Sequence, residues 1–299
     1  MATKLKNVNL SVTDLAAICG MDYYNNFSKV VCKIWKQLDK PGFEKLEVEC
    51  RKRGHSLGND GFIKKIKTLE QSNNLQNNEI VSKVYAINQK RHISSRALVN
   101  EQKKVLKDID SLQVSQKDKD QLKSLVQSAS NTVYGSRNEV GGVEIFVRET
   151  GKEIASKQTK LVHPFHTDTT RGYQWNLIGK TDGLTTDGEI LEVKNRQKEL
   201  FNTVRDYEMC QVQSYLHMSN RNNAFLVEVL KRRGGHNSDF NIIPIEKDSN
   251  YYQDNVGIYL DKFVGFMANL IWGKDVEETL RLAVIGGDTD GIGKGIYYG

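Results

Sequence analysis

The chain has 299 residues, with 43 Lys and Arg against 37 Asp and Glu and a net charge of +6. That length suits one large core or two modest ones, and the mild basic excess permits a polyanion partner without establishing one. No apolar run approaches the roughly 18 residues of a membrane span, and Met1–Asn9 lacks the apolar segment of a signal peptide, so a soluble, intracellular protein with no membrane partner is expected.

Four cysteines, Cys19, Cys32, Cys50 and Cys210, show no C-x-x-C spacing. This argues against zinc or iron–sulfur ligation and fits a reducing compartment. In chain order, Ser11 and Thr13 are candidate caps of a first helix with Asp14 in its first turn. Leu15, Ile18 and Cys19 form its apolar face, and Gly20 ends it. A second helix is expected from Phe27 to about Leu38, burying Val30, Val31, Ile34, Trp35 and Leu38.

From Pro41 to about Ser130 the composition shifts toward Lys, Asn, Gln and Ser. Apolar residues recur at helical spacing in four stripes: Phe62, Ile63, Ile66 and Leu69; Ile80, Val81, Val84, Tyr85 and Ile87; Val105, Leu106, Ile109 and Leu112; Leu122, Leu125 and Val126. This reads as an inserted helical subdomain with turns at Asn73–Asn78 and Val114–Lys119. Its basic residues include Arg51, Lys52, Arg53, Lys64, Lys65, Lys67, Lys90, Arg91 and Arg96. They either line a duplex groove through phosphate contacts that ignore sequence or are solvated helix faces; a docking surface for a partner protein is a third option.

Tyr134–Glu139 reads as the start of a helix that continues through Val143 and Phe146 and directs Glu139 inward. Ile154–Phe165 and Tyr173–Ile178 read as strands around the polar loop His166–Gly172, from which Asp168 or Arg171 is a candidate to approach a substrate. His163 and His166, at a strand end, have the wrong spacing for a paired zinc site. Val204–Met218 reads as a helix on which Gln211 and Tyr215 share a face. Ala224–Leu230 and Phe240–Ile245 read as strands, and Tyr251–Ile271 as a closing amphipathic helix. The glycine-rich Leu280–Gly299 follows no clear strand and opens no helix, so a nucleotide fingerprint is not expected and a flexible tail is the default.

The chemistry concentrates in Gly179–Lys194, GKTDGLTTDGEILEVK. Trp175–Ile178 and Ile190–Val193 flank a turn rich in Gly, Thr and Asp and read as a hairpin. Glu192 and Lys194, two apart on one strand, project from the same face, and Asp182 leaves the other strand within reach of them. Two carboxylates and an ammonium in one space suit metal-assisted phosphodiester hydrolysis; a solvated hairpin carrying a surface Glu-x-Lys pair is the alternative. Hard oxygen ligands hold Mg²⁺ with its waters, and paired ions flank the attacking and leaving oxygens. Lys194 would orient the attacking water, and Arg196 and Lys198 follow closely enough to meet phosphates.

These pieces stand in the order G-x-x-x-E (Gly135 to Glu139), D-G (Asp182-Gly183), E-x-K (Glu192 to Lys194) and Q-x-x-x-Y (Gln211 to Tyr215). Leu10–Met21, LSVTDLAAICGM, matches an opening S/T-D/E-hydrophobic-A-A-hydrophobic-x-G helix. The series resembles the PD-(D/E)xK nuclease superfamily and, within it, the phage lambda exonuclease and YqaJ-type viral recombinase family. It covers roughly residues 10–35 and 130–265.

The resemblance implies an α/β, restriction-endonuclease-like core, a central mixed sheet flanked by helices, with an α-helical N-terminal insertion. The corresponding division is N-terminal helices over 1–40, the insertion over 41–130, the nuclease core over 131–275 and a tail over 276–299. It implies that Glu139, Asp182, Glu192 and the Val193 carbonyl hold Mg²⁺ or Mn²⁺, as two ions, and that Lys194 and Gln211 serve the nucleophile, with Gln213 as the substitute if the register slips. Thr13 and neighbouring N–H groups would bind a terminal phosphate, and Lys180 and Tyr215 would add DNA contacts. Lys180 stands where that group commonly has a small residue, and the segment after Lys194 lacks its proline or cysteine. The implied activity is a metal-dependent deoxyribonuclease of the 5′–3′ exonuclease kind, resecting duplex DNA ends for recombination, repair or viral genome processing. A recombination or strand-annealing partner and a homo-oligomer are compatible with that. A structure- or site-specific endonuclease of the same fold, and a catalytically weak DNA-binding accessory protein, are the alternatives.

Overall fold

A computed structural model describes residues 5–21, 27–53, 57, 82–83, 95–196, 198–231 and 238–286, with the backbone alone at 95–99, 128–140, 231 and 238. The stripes beginning at Phe62 and Ile80, the turn Asn73–Asn78, Lys64, Lys65, Lys67, Lys90 and Arg91 lie outside the described residues, as do the side chains of Arg96 and Glu139. The chain forms two compact units, residues 1–59 with 142–299, and residues 60–141.

In the first unit, β1 (Lys6–Ser11) leads directly into α1 (Val12–Ile18), then α2 (Phe27–Leu38) and α3 (Lys40–Lys52). Val8 and Leu10 alternate inward from β1, a period of two that buries one face of a strand. Lys6–Ser11 was not anticipated as a strand because only two apolar positions carry the signal between polar neighbours. Asp39 starts α3 by accepting from Gly42 N at 3.0 Å. Phe43 and Cys50 of that helix are buried in the main core, and on its outer face Arg51 pairs with Glu47 and Arg53 with Glu49.

In the second unit, α4 (Ser95–Asp110) is followed by the first part of α5 (Gln116–Thr150). Ser115 caps α5 by accepting from Asp118 N at 3.2 Å. Val105, Ile109, Leu112, Leu122 and Val126 are buried, so the third and fourth stripes are the apolar faces of these two helices.

The remaining strands are β2 (Ile154–Lys157), β3 (Lys160–Asp168), β4 (Tyr173–Lys180), β5 (Gly183–Thr185), β6 (Ile190–Arg196), β7 (Asn223–Lys231) and β8 (Ser238–Glu246). The helices are α6 (Asp206–Ser219), α7 (Ile258–Trp272), entered through a π-turn at Gln253–Gly257, and α8 (Glu278–Gly286). The strands form two mixed sheets, β1-β4-β3 and β2-β5-β6-β7-β8. β1 runs parallel to β4 and β6 parallel to β7, the other pairs being antiparallel. The fold is therefore the expected mixed α/β class, with helices packed on the sheets.

Three sequence readings are corrected. The expected strand Ile154–Phe165 is two strands, broken at Gln158, which takes a left-handed φ of 59°. The expected hairpin of Trp175–Ile178 with Ile190–Val193 does not form: β4 belongs to the three-stranded sheet, and the partner of β6 is the three-residue β5. The start of the supposed tail is α8, whose Leu282, Val284 and Ile285 are buried, while 287–299 lie outside the described residues.

The middle strand β6 is covered on both faces, as parallel strands usually are. Leu191 and Val193 pack with Val143 and Phe146 of α5; Ile190 faces the other way, into the core that holds Cys210, Val212 and Leu216 of α6. Alternation then puts Glu192, Lys194 and Arg196 on the α6 face. Among the described residues no helix is long and apolar enough to cross a membrane.

Candidate active site

At the end of β4 the chain passes through Thr181 and Asp182 into β5. Asp182 N donates to Leu191 O at 3.1 Å, and its Oδ2 accepts from Val193 N at 2.7 Å. The carboxylate therefore takes the place of a paired strand where the β5–β6 ladder ends. The N–H and C=O of one strand residue point to the same edge, so the Val193 carbonyl lies on the Asp182 side of β6.

One residue away, Glu192 is 5% exposed. Its Oε1 accepts from Lys194 Nζ and from Gln211 Nε2, both at 2.9 Å. Gln211 Oε1 in turn accepts from Lys194 Nζ at 2.9 Å, closing a three-membered ring of side chains. Gln211 Nε2 also donates to Tyr215 Oη at 3.1 Å, and Tyr215 Oη donates to Lys180 O at 3.1 Å. Gln211 and Tyr215 thus share the α6 face expected from their spacing.

Electrostatics follow from burial. Desolvation pulls the Lys194 pKa down, but the charge and hydrogen bond of Glu192, with Glu208 and Asp182 beyond, more than offset it, and the net shift is upward. Lys194 is therefore an ammonium at neutral pH. Burial first, and then the charge of Glu192, push the Tyr215 phenol up to about 12, so it stays a neutral donor.

Glu192 Oε2 is buried with no hydrogen-bond partner among the described residues. Leaving a buried acceptor unsatisfied costs about 1–3 kcal/mol, and more when it is charged. An unsatisfied carboxylate oxygen, a second carboxylate and a main-chain carbonyl are hard oxygen donors of the kind Mg²⁺ and Mn²⁺ take. Among the described residues no three His, Cys, Asp or Glu side chains converge as a metal cluster. Glu139 falls on α5 where only the backbone is described.

The other expected residues divide. Thr13, exposed at the start of α1, shares a 2.8 Å hydrogen bond with Ser11. That end of α1 lies beside the site, because Val12 and the Tyr215 ring close over Gly179, where a Cβ would collide with the Tyr215 ring and press on Val12. Lys180 and Lys198 are exposed.

Four assignments need correction. Arg196 does not meet solvent phosphates: it is 8% exposed and held by Glu208 at 2.7 and 3.0 Å and Glu228 at 2.7 Å. Tyr215 is 1% exposed, so it braces Gln211 instead of touching DNA. Arg171 stands at the opposite end of β4, about 25 Å of strand away, bound to Asp168 at 3.0 Å and stacked 4.8 Å over Trp272; neither residue of that loop approaches Asp182. Gln213 cannot replace Gln211, since it faces Glu246 O and Asp248 N. His163 packs edge-on to His217, with ring centroids 5.0 Å apart.

Sequence reading missed Glu208 and Glu228. Both carried a signal: Glu228 is a lone charge inside the apolar strand AFLVEVL, and Glu208 precedes Gln211 by three on one helix. A charge in such a run implies a buried partner.

The sequence matches no protein-family model and no curated protein. Among solved structures the chain is similar to an alkaline exonuclease (LHK-Exo) from Laribacter hongkongensis, with TM-score 0.37 and 13% identity over 60% of this chain and 86% of that one. A structure of LHK-Exo in complex with dAMP gives TM-score 0.36 and 15% identity over 63% and 89% of the two chains. The structure of SSO0001 gives TM-score 0.36 and 13% identity over 56% and 84%.

Proposed function

We propose that the protein is a metal-dependent deoxyribonuclease acting on duplex DNA ends as a 5′–3′ exonuclease. The observation that carries this reading is the buried, unsatisfied Glu192 Oε2, with Lys194 held between Glu192 and Gln211 and Asp182 bonded to the N–H of the next residue, Val193. A buried carboxylate oxygen without a partner is costly, and a divalent ion bound there would satisfy it.

Asp182, Glu192 and the Val193 carbonyl are the groups that would hold Mg²⁺ or Mn²⁺. When bound, divalent ions supply charge neutralisation of the phosphate and a more acidic water. The remaining work belongs to the chain. Lys194, kept cationic by Glu192, donates to the incoming water or to a phosphate oxygen. Gln211 holds the ammonium in line, and Tyr215 holds Gln211. In the hydrolysis, a water oxygen bonds to phosphorus, the bond to the 3′ oxygen breaks, and that oxygen leaves with a proton. Exposed Lys180, Lys198 and Thr13 are proposed to contact the DNA backbone.

The test is digestion of end-labelled linear DNA and closed circular DNA with Mg²⁺, by wild type, Asp182→Ala and Lys194→Ala. Loss of linear DNA alone, with 5′-mononucleotides as product and both variants inactive but still DNA-binding, is expected. Nicking of the circle replaces the exonuclease with an endonuclease. Equal turnover by all three proteins, or none by wild type, refutes the assignment.

A further inference from the structure

Glu208, Gln211 and Tyr215 are spaced i, i+3, i+7 on α6 and so share one face; Glu192, Lys194 and Arg196 share one face of β6. These two rows meet rung by rung. Arg196 grips Glu208 through two bonds of 2.7 and 3.0 Å, and Lys194 meets Gln211 at 2.9 Å. Tyr215 closes the far end on Lys180 O. The Arg196 rung is itself anchored, because Glu228 on β7 accepts from Arg196 Nε at 2.7 Å and from the backbone N–H groups of Phe201 and Asn202. Glu208 also accepts from Arg205 N at 3.3 Å, which ties the first turn of α6 to the same guanidinium.

Apolar contacts between α6 and the sheet are non-directional and define the position of the helix along its own axis less sharply than a bidentate ion pair does. One residue of helix is about 1.5 Å of rise, enough to carry a 2.9 Å bond beyond hydrogen-bonding range. The geometry points to Arg196 and Glu208 as positioning residues: their ion pair sets the register of α6 over β6 so that Gln211 stands opposite Glu192 and Lys194. Arg196 thereby acts on the reaction through α6 without touching DNA. The reaction part of this inference rests on the nuclease reading; the register part does not.

Arg196→Met strands two buried carboxylates and risks unfolding, so the informative variant is Glu208→Gln, which leaves Arg196 its Glu228 partner. In the ¹⁵N-labelled full chain, the side-chain amide signal of Gln211, assigned by its loss in Gln211→Met, is expected to move in Glu208→Gln. In DNA cleavage with saturating Mg²⁺, kcat is expected to fall on the order of 10-fold to 100-fold with KM unchanged. An unmoved Gln211 amide overturns the inference, and so does a raised KM with unchanged kcat, which would make the ion pair a DNA-binding element. If wild type cleaves nothing, the nuclease reading fails, and the amide signal still decides whether the ion pair sets the register.

Discussion

Replacing Lys194 by Met removes the cation from a carboxylate that is 5% exposed. At the observed 2.9 Å and an effective dielectric of about 20, the attraction of the pair is roughly 6 kcal/mol. Sparing the desolvation of the ammonium returns part of this, and breaking a buried pair typically leaves a net loss of about 3–5 kcal/mol. Lys194 keeps 22% side-chain exposure and Glu192 retains the Gln211 donor, which places the loss near about 3 kcal/mol. For a chain of this size that lowers the unfolding midpoint by about 5 °C. The assay is thermal unfolding in EDTA, for wild type, Lys194→Met and the double variant Glu192→Gln/Lys194→Met. The double variant, with no stranded charge, is expected to be more stable than the single one. Mg²⁺ is expected to raise Lys194→Met by about 2.7 kcal/mol at a hundred times its dissociation constant and to leave the double variant nearly unmoved. Equal stabilities of the two variants, or an equal Mg²⁺ response, would show that Glu192 is not the buried charge that organises this site.

Gly179→Ala puts a methyl group against the Tyr215 ring and Val12 and is expected to cost about 1–3 kcal/mol, read by urea denaturation. Arg196→Met leaves Glu208 and Glu228 without their cation and is expected to cost about 3–5 kcal/mol, measured the same way; a neutral result would mean that the two acids are satisfied otherwise. Burial holds the His163 and His217 pKa values below the ordinary 6.5, with each other's charge and Lys247 adding to the effect at His217. The unfolded chain therefore takes up protons more readily than the folded one just below pH 6.5, so stability is full above that pH and declines as pH falls through it. His217 stacks on Tyr252 with ring centroids 3.6 Å apart; His217→Gln, which keeps a planar group there, is expected to flatten the decline, and an unchanged pH–stability slope would rule these imidazoles out as its source.

The acid–lysine pair is legible in the sequence, because two residues two apart on one strand must share a face. Asp182 was legible as a carboxylate near that pair, but through a hairpin that does not form. Its actual partner, the Val193 N–H, exists because β5 is too short to occupy that edge of β6. Gln211 and Tyr215 were legible as one helical face, but their different exposures were not. Arg196 shows the limit most plainly: a basic residue two positions after the lysine reads as a phosphate contact, yet it shares the face that α6 covers, and Glu208 and Glu228 are waiting there. The same local pattern fits an exposed strand equally well.

Period and punctuation in the chain were enough for α2, α6, β7 and the character of Glu192-Val193-Lys194, since alternation and helical spacing are local properties that any burial must respect. Which strands pair, which face of β6 is roofed by α6, and whether a charge there meets water or another charge were decided only when β4 and β6 entered separate sheets. Pairing and burial depend on segments distant in sequence, and no local spacing encodes the distance between Arg196 and the two acids that neutralise it.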